Sequence, residues 1–215
     1  SILKKIKIKN LRALKETPKV SLLPLTILLG KNSIGKSSFL RTFPLFKQSI
    51  SVNRSEPLLW YSPELVDFGS FEESIYKNKK DATISFEFEF DINQSFSFFR
   101  YRFFNFEDDT LPINIKFEIK ESYFEKLEIS LFNNDLILLF EKNEKNKPRY
   151  YTYRLYVYDA KRGDTFMLFK YIFDTTKPDG DWKIYYNNEI FSRTSENMQR
   201  VLKNAGYLPT EDIVY

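Results

Sequence analysis

The sequence predicts an α/β to α+β fold: a strand, a glycine loop and a helix near the N-terminus, followed by an antiparallel β-rich lobe. Two observations predict it. Leu25-Thr26-Ile27-Leu28-Leu29 is a short apolar run that stops at Gly30 and precedes a helix-compatible stretch. From about Ala82 onward, apolar and polar residues alternate in one short run after another. An unalternating run suits a strand covered on both faces, as in a central parallel sheet. Alternation suits strands with one buried face.

Composition limits the chemistry. The 215 residues include 22 Phe, 14 Tyr and 2 Trp, and 42% of the chain is apolar, enough for a sizeable core. There is no Cys and no His. Disulfides, Cys/His zinc sites, Ser-His-Asp triads and histidine bases are therefore excluded. No run approaches 18 apolar residues, and the N-terminal Ser1-Ile2-Leu3-Lys4-Lys5-Ile6-Lys7-Ile8 lacks a continuous apolar leader. A cytoplasmic protein without a membrane partner is expected.

Residues 2–10 alternate, with Ile2, Ile6 and Ile8 on one face and Lys5, Lys7 and Lys9 on the other. They read as a half-buried strand. Asn10 to Pro18 reads as a connection. After Gly30, Leu40, Phe43 and Phe46 share a helix face, with a break or kink expected near Pro44. Ile84, Phe86, Phe88 and Phe90 begin the alternating series. It continues through Ile113 to Ile119, Leu127 to Leu131, Leu136 to Phe140, Tyr151 to Tyr158 and Phe166 to Phe173, with Trp182 to Tyr186 as one further strand. Asn133-Asn134-Asp135 and Lys161-Arg162-Gly163-Asp164 read as turns. The whole predicts an antiparallel meander whose aromatic rows form its core. Thr194 or Ser195 is placed to cap a last helix reaching about Asn204, with Gly206 and Pro209 beyond it.

Gly30-Lys31-Asn32-Ser33-Ile34-Gly35-Lys36-Ser37-Ser38 satisfies G-x-x-x-x-G-K-[ST]. Main-chain N–H groups in such a loop turn inward as an anion nest. The helix that follows adds unpaired donors and its positive dipole end. A side chain at Gly35 would crowd the phosphates or force an unfavourable φ. Lys36 is the charge that meets the β- and γ-phosphates, and the Ser37 hydroxyl is the Mg²⁺ ligand. Ser38 is placed to donate to the α-phosphate. Nucleoside triphosphate binding with Mg²⁺ is the inference.

Hydrolysis demands further parts: a strand ending in an Asp for the metal, with an adjacent Glu to position water. No apolar run ends in Asp-Glu. The runs ending in Glu141 and Asp159 read as plain strands. Either the chain is one portion of a longer polypeptide, or it is a degenerate binder. Gln48 lies twelve residues after Lys36, about 18 Å along a helix, too far to reach a γ-phosphate.

Two patterns carry a family likeness. The first is Ile6-Lys7-Ile8-Lys9-Asn10-Leu11-Arg12-Ala13-Leu14 followed by the loop with its internal Asn32. The second is Leu58-Leu59-Trp60-Tyr61 followed by Val66-Asp67-Phe68-Gly69-Ser70-Phe71. The chain resembles the N-terminal lobe of ABC-type ATPases of the SMC/RecF/OLD group, and among them the AAA-type ATPases of Septu-type and retron-linked anti-phage systems. The resemblance implies a P-loop NTPase with a mixed central sheet. It implies a nucleotide-binding core over 1–80, a β-rich part over 81–190, and a helix and connection over 191–215 leading to a C-terminal half. It also implies ATP bound between two heads, so a homodimer, with a nuclease or other effector as partner. Arg12 matches a basic position that approaches the nucleotide, and Asp67 stands in for the residue that senses metal and water. The signature and Asp-Glu motifs of that group are absent here.

Charge supports a second reading. The first fifty residues hold eleven Lys or Arg and a single acid, Glu16. Such a segment attracts phosphates, of a nucleotide or of DNA or RNA. A nucleic-acid-binding module and a structural subunit that binds ATP without turnover are the alternatives to an ATPase head.

Overall fold

The computed structural model describes residues 2–32, 34–51, 56–79, 81–93, 110–131, 134, 136–142, 150–159, 162–174, 183–186 and 199. The chain forms two compact units, one of residues 3–89 and 116–127, the other of residues 1–2, 90–115 and 128–215.

The first unit is built on β1 (Ile2–Leu11), β2 (Leu14–Glu16), β3 (Val20–Ser21) and the portions 84–89, 116–120 and 123–127 of β4 (Ile84–Asn93), β5 (Thr110–Lys120) and β6 (Tyr123–Leu131). Its strand order is β2-β1-β4-β5-β6, with β3 also on β1. β1 meets both β2 and β3 antiparallel, with Lys9 opposite Glu16 and Ile6 opposite Val20. Period two decides the faces. Ile6, Ile8, Ile84 and Phe86 are fully buried. Helix α1 (Lys36–Ile50) covers that face. Its Phe46 ring stands edge-on to Phe86, Phe88 and Phe117, with centroids 4.9, 5.1 and 5.9 Å away. Each aromatic ring removed from water here stabilises the unit by roughly 1.5–3 kcal/mol. Ile2, expected on the same face, is exposed.

The opposite face of the same strands carries charge. Lys5 pairs with Glu89 at 2.8 Å, Lys7 with Glu16 at 2.7 Å, and Lys19 with both Glu87 and Glu89 at 2.6 Å. The hydrogen bond from Lys7 holds the Glu16 carboxyl below its ordinary range. Partial burial works against ionised Glu89, but the hydrogen bonds from Lys19 and Lys5 outweigh it and hold its carboxyl low as well. The Glu87 and Glu89 carboxylates raise Lys19. Three of the basic side chains that argued for nucleic acid are thus neutralised within the fold.

The second unit contains β7 (Leu136–Lys142), β8 (Tyr150–Asp159), β9 (Asp164–Asp174) and β10 (Lys183–Tyr186), in the order β7-β8-β9-β10. The pairs β7–β8, β8–β9 and β9–β10 are antiparallel. This is the expected meander. Gly163 at φ 70° helps close the β8–β9 hairpin, where Asp159 faces Asp164. Glu141 is ion-paired with Arg154 on the neighbouring strand. Both carboxylates thus belong to ordinary strands, as expected. Of the helix predicted between Thr194 or Ser195 and Asn204, only Gln199 is described, and it is helical; Gly206 and Pro209 lie outside the described residues.

Two expectations are corrected. Residues 25–29 form no strand, and Leu25, Ile27 and Leu29 are 77%, 69% and 88% exposed. The parallel component expected of a mixed sheet around them is not found among the described residues. A strand needs neighbours for its N–H and C=O groups, and no described segment pairs with this one. Local turn chemistry takes over instead, with the Leu23 N–H donating to Thr26 Oγ1 at 3.0 Å. Pro44, near which a break or kink is expected, does not break the helix, which runs from Lys36 to Ile50. The carbonyl that Pro44 leaves unpaired is that of Leu40, and this residue is 57% exposed, so water can reach it.

Candidate nucleotide-binding site

α1 starts immediately after Gly35, and its first turn is bare. Gly35 is the N-cap, no side chain caps the turn, and no acid lies in it. The first main-chain bond of the helix runs from the Phe39 N–H to the Gly35 carbonyl at 2.9 Å. The N–H groups of Lys36, Ser37 and Ser38 therefore have no intrahelical acceptor. Three donors and the positive dipole end converge, and the first turn supplies no acid to answer them.

Lys36 folds back over the loop. Its ammonium donates to the Gly30 carbonyl and to the Lys31 carbonyl, the latter at 2.7 Å. An ammonium has three N–H donors. Two hold the loop closed on itself and one remains for an external acceptor. The side chain thus organises the loop and leaves charge for a phosphate. Ser37 is exposed and Ser38 half-buried. Lys31, Asn32 and Ile34 are exposed on the loop, and Ser33 lies outside the described residues.

Gly35 has φ 110° and is buried. Its neighbour is protein: a β-carbon there would meet Leu14 and, at 3.7 Å, the Ala13 Cβ. Steric demand for glycine at this position therefore comes from the β1–β2 turn, in addition to the φ angle expected from sequence.

That turn also holds Arg12. Its backbone sits at φ 48°, and its N–H donates to the Ser74 carbonyl at 2.6 Å. One Nη donates to the Asp67 carbonyl at 3.2 Å, and the guanidinium lies 4.7 Å above the centre of the Phe68 ring. Arg12 Nε is buried with no hydrogen-bond partner. Asp67 uses its carboxylate locally, with Oδ1 accepting from the Gly69 N–H at 2.7 Å.

Sequence reasoning missed the supports of this corner. Gln48, set aside for its distance from the phosphates, is 3% exposed. Its Oε1 accepts from the Val66 N–H at 3.1 Å, and its Nε2 donates to the Leu59 and Val66 carbonyls. Ser49 Oγ accepts from the Leu59 N–H at 2.9 Å. The signal was present: Phe39, Thr42, Leu45 and Gln48 recur every third residue on the buried face of α1, and a buried amide must find partners. Ser70 and Glu73 form a reciprocal capping box at the start of the short helix α2 (Phe71–Ser74). This S-x-x-E spacing was also readable.

A strand-flanked sheet, a glycine loop folded around a lysine and an uncapped helix start define the phosphate-loop class of nucleotide-binding proteins. The AAA ATPase domain family matches the chain over residues 2–205. The chain belongs to that family, which is one of ATP-binding, ATP-hydrolysing domains. No curated protein matches it. Among the described residues no helix is long and apolar enough to cross a membrane, and no group of three acidic side chains could hold a metal ion.

Proposed function

We propose that the chain is the nucleotide-binding lobe of an ATPase head of the SMC/RecF/OLD type, a switch whose two heads join on ATP and part on hydrolysis. The observation that carries this reading is the closed loop: Lys36 tied to the carbonyls of Gly30 and Lys31, directly before an uncapped helix. The main-chain donors of 30–38 receive the phosphate tail. Lys36 neutralises its charge as the bond to the γ-phosphate breaks. Arg12, on the turn whose Leu14 meets Gly35, is the second cation we assign to the site.

The residues present fit Mg²⁺. Ser37 is exposed at the second position of α1 and offers a hydroxyl, and the remaining oxygens would come from the nucleotide itself. When bound, the ion shields the charge between the β- and γ-phosphates. A water-orienting acid next to an apolar strand has no candidate among the described residues. We place that role on residues outside them, on a longer polypeptide or a partner head.

The role we assign is control of a nuclease or other effector in prokaryotic anti-phage defence or DNA transactions, in the cytoplasm. It rests on the resemblance over Ile6 to Arg41 and Leu58 to Phe71. Binding of DNA or RNA through the N-terminal lysines is the weaker reading, since Lys5, Lys7 and Lys19 are spent on carboxylates.

Titration of ATP against the chain and its Lys36→Ala variant tests the proposal. Loss of binding in the variant is expected, and equal affinity would sink it. Phosphate release then separates an ATPase from a subunit that only binds. A DNA affinity that ignores ATP and survives Lys36→Ala would favour the nucleic-acid reading.

A further inference from the structure

We infer that Gln48 is a positioning residue for nucleotide capture, acting on the phosphate loop through Arg12; the inference rests on the reading of 30–38 as an ATP site. Gln48 lies at the far end of α1, about 18 Å from Lys36, and touches no phosphate. What it does touch is the hairpin of residues 58–68, closed by the Phe68 N–H on the Trp60 carbonyl at 2.7 Å and the Ser62 N–H on the Val66 carbonyl at 3.0 Å. Its amide both accepts from and donates to Val66, as a neighbouring strand would. A third bond ties it to the Leu59 carbonyl on the other arm.

The two residues after Val66 hold Arg12. The Asp67 carbonyl accepts from its guanidinium and the Phe68 ring lies beneath it. Phe68 is fully buried, so its ring position is set by the packing of the hairpin rather than by Arg12. Arg12 in turn fixes the entry to the β1–β2 turn, whose Ala13 and Leu14 pack against Gly35. A closed circuit results. The C-terminal end of α1 holds the hairpin, the hairpin holds Arg12, and the Arg12 turn abuts the residue that opens α1.

Two features make Arg12 sensitive to that circuit. Its left-handed backbone is uncommon for a side chain without local compensation and persists only where its surroundings impose it. Its buried Nε has no acceptor among the described residues, where the guanidinium is held by one carbonyl and one ring face. Removing the Gln48 clamp frees Val66, and with it the carbonyl and ring that hold Arg12. The Arg12–Leu14 corner then no longer presses on Gly35, and the loop donors lose their alignment. Coupling through such a network typically changes affinity by severalfold to about thirtyfold.

ATP titration of the whole chain with Mg²⁺, with the melting temperature of every variant recorded, tests this. The variants are Gln48→Met, which keeps volume and burial but makes none of the three bonds, Arg12→Ala, the double variant, Ser49→Ala and Lys36→Ala. Gln48→Met is expected to bind ATP about tenfold more weakly. Arg12→Ala also weakens binding, and the double variant is no weaker than Arg12→Ala alone. Ser49→Ala, which loosens the same hairpin at Leu59 only, stays within about twofold of the wild type. The inference is overturned if folded Gln48→Met binds as wild type, if its effect persists undiminished in the Arg12→Ala background, or if Ser49→Ala weakens binding as much. Should Gln48→Met not fold, Gln48→Glu, which keeps the acceptor for the Val66 N–H, is read by the same criteria. Failure of the parent reading looks different: wild type does not bind, or Lys36→Ala binds equally well, and both proposals then fall.

Discussion

Leu14 occupies the space that a β-carbon on Gly35 would need: an ideal Cβ there lies 2.4 Å from Leu14 Cδ2 and 3.1 Å from its Cγ. The β1–β2 turn and the start of α1 are thus a fitted pair, although 20 residues of sequence separate them.

Gly35→Ala must therefore shift Leu14 as well as strain the backbone at φ 110°. The backbone part is expected to cost about 1–3 kcal/mol. Leu14→Ala in the same chain restores only the steric part. Thermal melts of the two single variants and the double variant check this. Full recovery in the double variant would show that φ contributes nothing.

Lys36→Arg is expected to fail as a replacement. Lys36 bends one compact ammonium onto two carbonyls at once, and the rigid planar fork of arginine does not reproduce that. ATP affinity is expected to fall about tenfold or more, read by calorimetric titration. Near-wild-type affinity would mean that charge alone matters.

Ser37→Ala is expected to lower the benefit of Mg²⁺ specifically. ATP titrations with Mg²⁺ and with a chelator should differ clearly for the wild type and much less for the variant, and Ser37→Thr should restore the difference. Equal metal dependence in Ser37→Ala would remove Ser37 from the metal site.

Ile27→Thr separates the sequence expectation from the observed fold. A buried central strand would lose a core side chain, at roughly 1–3 kcal/mol. At 69% exposure, the change is expected to stay within about 0.5 kcal/mol. Phe86→Ala, at a fully buried ring, is expected to cost about 3–5 kcal/mol. Urea melts of the two variants check the contrast.

Glu89 governs part of the acid limb. Its carboxyl is held below the ordinary 4.5, despite partial burial, by Lys19 and Lys5. The stabilisation is present above pH 4.5 and is lost as pH falls through the lowered value. Lys19, raised above 10.5, adds stability that is lost only as pH rises beyond 10.5. With these groups partly exposed, about 1 kcal/mol or less is at stake. Glu89→Gln is expected to flatten stability below pH 4.5. An unchanged acid limb in the variant would show the pair contributes nothing.

The sequence by itself determined the phosphate-loop pattern and the meander. The roles proposed for Gly30, Gly35, Lys36 and Ser37 depend on consecutive main-chain groups and two adjacent side chains, so their spacing carries the physics. Alternation in β1, β4, β5 and β8 carries the buried face in the same way, because side-chain direction follows the strand's period. Only the tertiary structure decided what depends on which segments meet. Gln48 became a clamp because residues 59 and 66 come to it, and Gly35 is constrained by Leu14. Lys5 of β1 is neutralised because β4 brings Glu89 alongside and Lys7 because β2 brings Glu16, and Leu25, Ile27 and Leu29 stay exposed because no described strand covers them. Local spacing dictates which groups can form a site, but contacts between distant residues dictate what holds it.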